Sequence, residues 1–222
     1  MLEGEVFPDF NSLVTIYFVI LKKRTQDQLI ITSMLRKTSI SVILSLFVIT
    51  ALHSQTPGRS VSDVILAGYS AKVFTTEPVS EKDIETILKC GIKAPSGMNR
   101  QPWTFIVVKD NAIVAELVRN ASAGNILIIV CGAEPGQNGQ TSDFDCGLAM
   151  QNMYIAAQGL NLGAHIYLSS VGTINSTKKQ ALGIPDGYKA TAILRIGHID
   201  NKIDAASSAS TRKEFDKVVI YK

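Results

Sequence analysis

From about residue 62 onward, apolar positions alternate between a spacing of three to four and unbroken β-branched runs. The first spacing marks one face of a helix, and the second marks a buried strand. Ser62 to Leu66 suits a short helix leading to Gly68. Ser80 can cap a longer one, with Asp83 reaching back in a capping-box-like arrangement, after which Ile84, Ile87, Leu88 and Ile92 fall at helical spacing. Pro95 and Gly97 end that helix. Thr104 to Val108 reads as a strand, Ala112 to Val118 as a helix and Ile126 to Val130 as a second strand. Gly132 to Thr141, with Pro135 and several glycines, reads as a loop. Asp143 to about Leu160 is apolar nearly all round, which places the helix at the centre of the domain or between subunits. Ile166 to Leu168 is a short strand, Ser176 to Leu182 a short helix and Ala190 to Ile199 a longer strand. This alternation predicts a three-layer α+β or α/β domain.

The first 54 residues follow another pattern. Arg36 and Lys37 precede an apolar run from about Ile40 to Leu52, and small Ser54 follows before a polar stretch. The run is short for a membrane span and suits the h-region of a secretory signal, although it starts at Met34 rather than at the first residue. Either Met34 is the initiator and residues 1–33 are not translated, or the run is a short membrane anchor or a buried helix. A second apolar run, Leu13 to Leu21, ends at Lys22, Lys23 and Arg24. The expected division is therefore a non-domain segment, 1–54, and a domain, 55–222. A signal at Met34 implies export to the periplasm or cell envelope; the alternatives are a cytoplasmic or membrane-anchored protein.

Composition narrows the functional classes. Hydrophobic residues make up 46% and charged residues 18%, as in an ordinary globular domain. The formal net charge of +3 is scattered, so no basic stripe exists to neutralise a nucleic-acid backbone. Cys90, Cys131 and Cys146 form no C-x-x-C pair and stand among apolar neighbours, which reads as small buried hydrophobes. The three histidines are dispersed, and no metal-ligand spacing occurs. Neither a G-x-G-x-x-G nor a G-x-x-x-x-G-K-[ST] cradle nor a G-x-S-x-G elbow is present. Asp143 and Asp145 open a helix, where the positive helix end favours acidic residues. Asn120-Ala-Ser and Asn175-Ser-Thr match the glycosylation pattern, which matters only in a host that glycosylates.

One segment carries more. Residues 94 to 108 join a helix to a strand through Ala94, Pro95, Ser96, Gly97, Met98, Asn99, Arg100, Gln101 and Pro102, with the only tryptophan, Trp103, next. Gly97 allows close backbone approach, and Ser96, Asn99 and Gln101 can orient a polar heterocycle. The segment is equally readable as a helix-terminating loop with Trp103 filling the core. It resembles the A-P-S-x-x-N-x-Q-P-W-x-F block of the nitroreductase family. Upstream, Ser70 to Phe74 followed by Pro78-Val79 resembles the family's R-x-S-x-[RK]-x-F…P-V opening. Downstream, Asp145 to Met153 and Gly159 to Gly163 are similar to its central helix and the turn after it. Gly183 to Gly187 and Ile196-Gly197 resemble the loop before its last core strand and that strand itself. The resemblance covers about Val61 to Lys222.

What the resemblance implies is an α+β fold, three-layered, with a central and mainly antiparallel sheet flanked by helices. It also implies a homodimer with FMN at the subunit interface and NAD(P)H as electron donor. Carried over by position, Ser70 and Lys72, beside Tyr69, hold the flavin phosphate or ribityl chain. Pro95, Ser96, Gly97, Met98 and Asn99, with Gln101, border the ring from the partner subunit. Leu168, Ser169 and Ser170 face the reactive nitrogen, and Arg212 or Lys213 completes the phosphate site, unless those two are a solvated tail. No side chain is assigned as catalytic, because the cofactor carries the chemistry. The family's arginine before the serine is missing here, where Gly68 and Tyr69 stand. The short chain from Val108 to Asn125 implies an open, permissive pocket.

The implied reaction is ping-pong reduction of nitroaromatics, quinones or similar electron-poor small molecules. The alternatives are a flavin-dependent dehalogenase or dehydrogenase on the same fold, or a flavin-binding protein without turnover. Export would set the protein apart from NAD(P)H and call for another donor. Membrane contact is expected only if the apolar run is retained.

Overall fold

The computed structural model describes residues 59–135, 142–204 and 209–222, and a helical stretch at 17–19, 21–26 and 28. The chain divides into two units, Met1–Gly58 and Arg59–Lys222. The apolar run after Met34 lies outside the described residues. Among the described residues, no helix is long and apolar enough to cross a membrane.

In the second unit, helix α1 (Val61–Ala67) starts at a full capping box: Ser60 accepts from the Asp63 amide, and Asp63 reaches back to the Ser60 amide. Helix α2 (Glu81–Ile92) starts at Ser80 in the same way, except that Asp83 accepts from the Ser80 hydroxyl at 2.7 Å. Strand β1 (Trp103–Val108), helix α3 (Asn111–Leu117), strand β2 (Ile126–Ala133) and helix α4 (Asp143–Gly159) follow. Strand β3 (Gly163–Tyr167) leads to helix α5 (Val171–Thr173), which runs on as a π-helical turn over Ile174–Lys178. Strand β4 (Tyr188–Gly197) closes the sheet.

All pairings are antiparallel, in the order β1-β2-β4-β3. Because strand side chains alternate, β2 feeds both layers. Ile126, Ile128 and Val130 join Leu194 and Ile196 in a core with α2 and α4, while Leu127, Ile129 and Ile193 face α3 and the π turn. The fold is α+β in three layers, as the resemblance implied.

Several boundaries differ from the pattern reading. β2 continues through Gly132 and Ala133, which pair with Lys189 and Tyr188 rather than opening a loop. Gly132 is there for close packing: a Cβ would lie 2.3 Å from Ser142 Oγ and 2.9 Å from Cys146 Sγ. β3 starts earlier, at Gly163, and ends before Leu168. The helix placed at Ser176 to Leu182 instead starts at Val171. Along α4, Cys146, Ala149, Met150, Met153 and Ala157 are buried, while Phe144 in the first turn is 76% exposed.

Cys131 and Cys146 are buried, whereas Cys90 is only partly so. Burial, aided by the nearby Cys146, pushes the Cys131 thiol up to about 12. It therefore stays protonated and inert at neutral pH.

Candidate functional site

The segment from Gly68 to Thr75 is extended and anchored at nearly every residue. Gln158 Nε2, near the end of α4, donates to the Tyr69 carbonyl at 3.1 Å. The Ser70 hydroxyl meets the Tyr154 hydroxyl at 3.2 Å. Ala71 donates its amide to the Ala164 carbonyl of β3 at 3.2 Å, and its own carbonyl lies 2.7 Å from His165 Nδ1. The buried Asp204 carboxylate accepts from the amides of Lys72 and Val73. Beyond β4, Phe74 bridges to Ile199. Ser70 and Lys72 are left with exposed side chains on a fixed backbone. Among the described residues nothing pairs with the Lys72 ammonium.

Burial, with the Asp204 charge adding, raises the Tyr69 phenol above its usual value, so it stays neutral and can donate.

A second support stands behind this segment. Arg195 of β4 is 1% exposed and has no carboxylate partner among the described residues. Its guanidinium donates to Asn125 Oδ1 at 2.8 Å and to the Asn120 carbonyl at 3.1 Å, and reaches the Tyr167 hydroxyl at 3.4 Å. It also lies 4.1 Å from the centre of the Phe74 ring. Tyr167 stacks on His165 with centroids 4.4 Å apart. The buried cation thus braces both Phe74 and the histidine that holds Ala71.

The loop from Pro95 to Gln101 follows α2. Gly97 opens a 3-10 turn, and its amide donates to Asp145 Oδ1 in the first turn of α4 at 3.2 Å. Ser96 Oγ accepts from the Gln101 amide at 3.0 Å, and Gln101 Nε2 reaches Asn99 Oδ1 at 3.3 Å. Met98, Asn99 and Gln101 have φ of 52°, 53° and 49°. Each is costly for a residue with a side chain, and such strain concentrates at functional sites. A Cβ on Gly97 would meet only Asp145 Oδ2 among the described residues, at 3.9 Å, so nothing among them requires a glycine there.

Leu168, 67% exposed, and Ser169 follow the end of β3, while the Ser170 hydroxyl turns inward to the Leu117 carbonyl. Arg212 and Lys213 are exposed, and Arg212 donates to the Ser210 carbonyl at 2.8 Å within its own tail. Among the described residues, no hydrogen bond or ion pair joins either to Tyr69, Ser70 or Lys72.

These groups fall on two edges. The Tyr69–Lys72 segment lies along β3, and Leu168 and Ser169 follow its end, about 13 Å further at ~3.3 Å per residue. The Pro95–Gln101 loop leads into β1. β1 and β3 are opposite edges of the four-stranded sheet, about 14 Å apart at ~4.8 Å per strand. One chain brings the first two groups together and leaves the loop apart from them. Sequence reasoning missed Gln158, His165, Asp204 and Arg195, and treated Asp145 as a helix-start residue only.

Comparison with known proteins gives a consistent picture. The model of the Nitroreductase family matches residues 65–130 and 122–198. A provisional NADH dehydrogenase/NAD(P)H nitroreductase of Archaeoglobus fulgidus is 31% identical over 146 residues, which is 61% of this chain and 83% of that protein. The structure of a provisional nitroreductase of Desulfovibrio desulfuricans in complex with FMN is 26% identical, with a TM-score of 0.61, covering 74% of this chain and 97% of that one. A nitroreductase of Bacteroides fragilis with bound FMN has the same fold at 21% identity, with a TM-score of 0.62, over 74% of this chain and all of that one.

Proposed function

The chain belongs to the nitroreductase family, and on that premise we propose that it is an FMN-dependent oxidoreductase whose site is completed by a second copy of itself. The observation that carries this reading is the splitting of the site between opposite sheet edges. A flavin lying along β3 meets Ser70, Lys72, Leu168 and Ser169 from one chain, and the Pro95–Gln101 loop must come from another. Exposed apolar residues support the same reading: Leu66 is 85% exposed, Val61 68% and Phe144 76%, on α1 and the start of α4.

The donor set fits the cofactor. An unpaired ammonium beside a hydroxyl suits a phosphate dianion, with charge-assisted bonds to both. The Pro95–Gln101 loop offers an open glycine and amide side chains, which suit a planar heterocycle with hydrogen-bonding edges. When bound, the flavin supplies hydride and electron transfer, which no side chain here can provide. The chain's own residues bind and orient it. Lys72 and Ser70 hold the phosphate end, and the bonds from Gln158, His165 and Asp204 keep their backbone from yielding. Asp145 holds the strained loop in place through Gly97.

No side chain is placed as acid or base. A nicotinamide donor and an electron-poor acceptor, such as a nitroaromatic or quinone, therefore use one open face in turn, a ping-pong scheme. Exposed Met98 and Leu168 leave that face apolar and permissive.

Lys72→Ala is expected to raise the FMN dissociation constant about tenfold, the scale of one charge-assisted bond lost. Titration of flavin-free protein followed by flavin fluorescence measures this. Unchanged affinity would remove Lys72 from the site.

A further inference from the structure

The helical stretch of the first unit exposes apolar and basic side chains together. Tyr17 is 63% exposed and Phe18 65%, and Val19 and Leu21 are exposed beside them. Lys22, Lys23 and Arg24 follow directly, all exposed, and no ion pair engages any of them among the described residues. Residues 10–26 contain neither Asp nor Glu, so the charge of this stretch is of one sign.

The two kinds of side chain are ordered around the helix. At about 100° per residue, Tyr17, Leu21 and Thr25 fall on one side with Phe18 next to them, a face about 100° wide. Thr25 joins this face with its hydroxyl hydrogen held by the Leu21 carbonyl at 2.7 Å. Lys22 borders the face beside Phe18, and Arg24 borders it beside Tyr17, while Val19, Lys23 and Gln26 fall on the far side. An apolar face rimmed by long cationic side chains suits a boundary between hydrocarbon and anionic groups. The stems of such side chains cover the apolar side, and their charged ends reach the rim. From Tyr17 to Gln26 a helix rises about 14 Å, against a hydrocarbon core of about 30 Å. The stretch from Tyr17 to Gln26 can therefore lie in a bilayer surface but is too short to cross one. A second copy of the chain is a poorer occupant, since its formal net charge of +3 opposes these cations.

We propose that this helix docks the protein on a bilayer surface rich in anionic phospholipid. Tyr17, Phe18 and Leu21 enter the apolar boundary, and Lys22 and Arg24 meet the lipid phosphates on either side. So small an apolar face gives reversible association rather than permanent anchoring. This docking is independent of the flavin reading, because none of these residues is among the groups assigned to FMN.

Flotation of the full-length protein with lipid vesicles is the test. Vesicles of phosphatidylcholine mixed with phosphatidylglycerol are expected to carry the protein upward, and vesicles of phosphatidylcholine alone far less. Replacing Lys22, Lys23 and Arg24 together by Gln is expected to weaken binding to the mixed vesicles about a hundredfold, roughly fivefold per cation. Phe18→Gln combined with Leu21→Gln is expected to weaken it at least about tenfold. Val19→Gln, on the far side, is expected to leave it within about twofold. All of these residues are exposed, and an unchanged melting temperature checks that each variant folds. Absence of flotation with the mixed vesicles would overturn the proposal. Equal loss from Val19→Gln would show that no face is selected, and would overturn it too. Binding that survives every change would move the membrane contact to another segment and have the same effect. Self-association without vesicles, abolished by the Phe18 and Leu21 changes and accompanied by no flotation, would assign the face to a second copy. A natural protein whose mass corresponds to a start at Met34 would remove the helix, and the proposal with it.

Discussion

Replacing Arg195 by methionine is expected to lower the unfolding free energy by about 3 kcal/mol and to weaken flavin retention with it. Methionine fills most of the space but donates none of the bonds. Asn125 Oδ1 and the Asn120 carbonyl would lose charge-assisted donors, and Asn125 Nδ2 already has no hydrogen-bond partner among the described residues. Each buried polar atom so stranded costs about 1–3 kcal/mol, against which the cost of burying the charge is relieved. The first effect is the larger, because the cation also rests on the Phe74 ring, a contact that desolvation strengthens. The consequence for binding follows the chain of contacts: Arg195 to Tyr167, Tyr167 to His165, His165 to the Ala71 carbonyl. Urea unfolding and FMN titration of the variant measure the two effects. A loss below about 1 kcal/mol would mean that desolvation of this arginine cancels its bonds.

Gly163→Val is the second large effect, expected to cost about 3 kcal/mol or more and to abolish tight flavin binding. Gly163 opens β3 directly under the binding segment. A Cβ there would lie 2.7 Å from Ile199 Cγ1, 2.8 Å from Phe74 Cε1 and 2.9 Å from Ala71 Cβ. All three belong to packed surroundings, and two belong to the segment carrying Ser70 and Lys72. Relief can come only by pushing that segment off the strand. Gly172→Ala is the matched control, since a Cβ at Gly172 meets nothing within 4 Å. It should change stability by under about 0.5 kcal/mol. Equal melting temperatures for the two variants would contradict the packing described.

The same glycines explain what the sequence could and could not disclose. α4 was legible almost to the residue, because a long apolar run between Asp143 and Gly159 has one reading. β2 was cut short, and the start of β3 was missed, because Gly132 and Gly163 look like turn signals. Both are glycines of close approach inside strands, a role set by residues distant in sequence. The short helix before β4 was misplaced because a π turn breaks the 3.6-residue period that pattern reading relies on.

The site divides in the same way. Ser70, Lys72 and the Pro95–Gln101 loop stood out by residue type and motif, and the structure gives each a defined position. Their supports did not stand out. Asp204 lies 132 residues from Lys72, and Gln158 lies 89 from Tyr69. Neither sits in a local pattern that announces a partner. Arg195, inside a strand of apolar residues, was missed in the same way, since the groups it donates to, Asn125 and Asn120, lie 70 and 75 residues away. For Arg212, the hydrogen bond shown is to the Ser210 carbonyl within its own tail.

The proposed function requires that this chain bind FMN and cycle it. The most direct measurement is the visible absorption spectrum of the purified full-length protein, before and after adding NADPH. Oxidised-flavin bands that bleach on NADPH are expected. Bands that persist would retain the cofactor and contradict the nicotinamide donor. A colourless protein that takes up no FMN on incubation would contradict the claim itself.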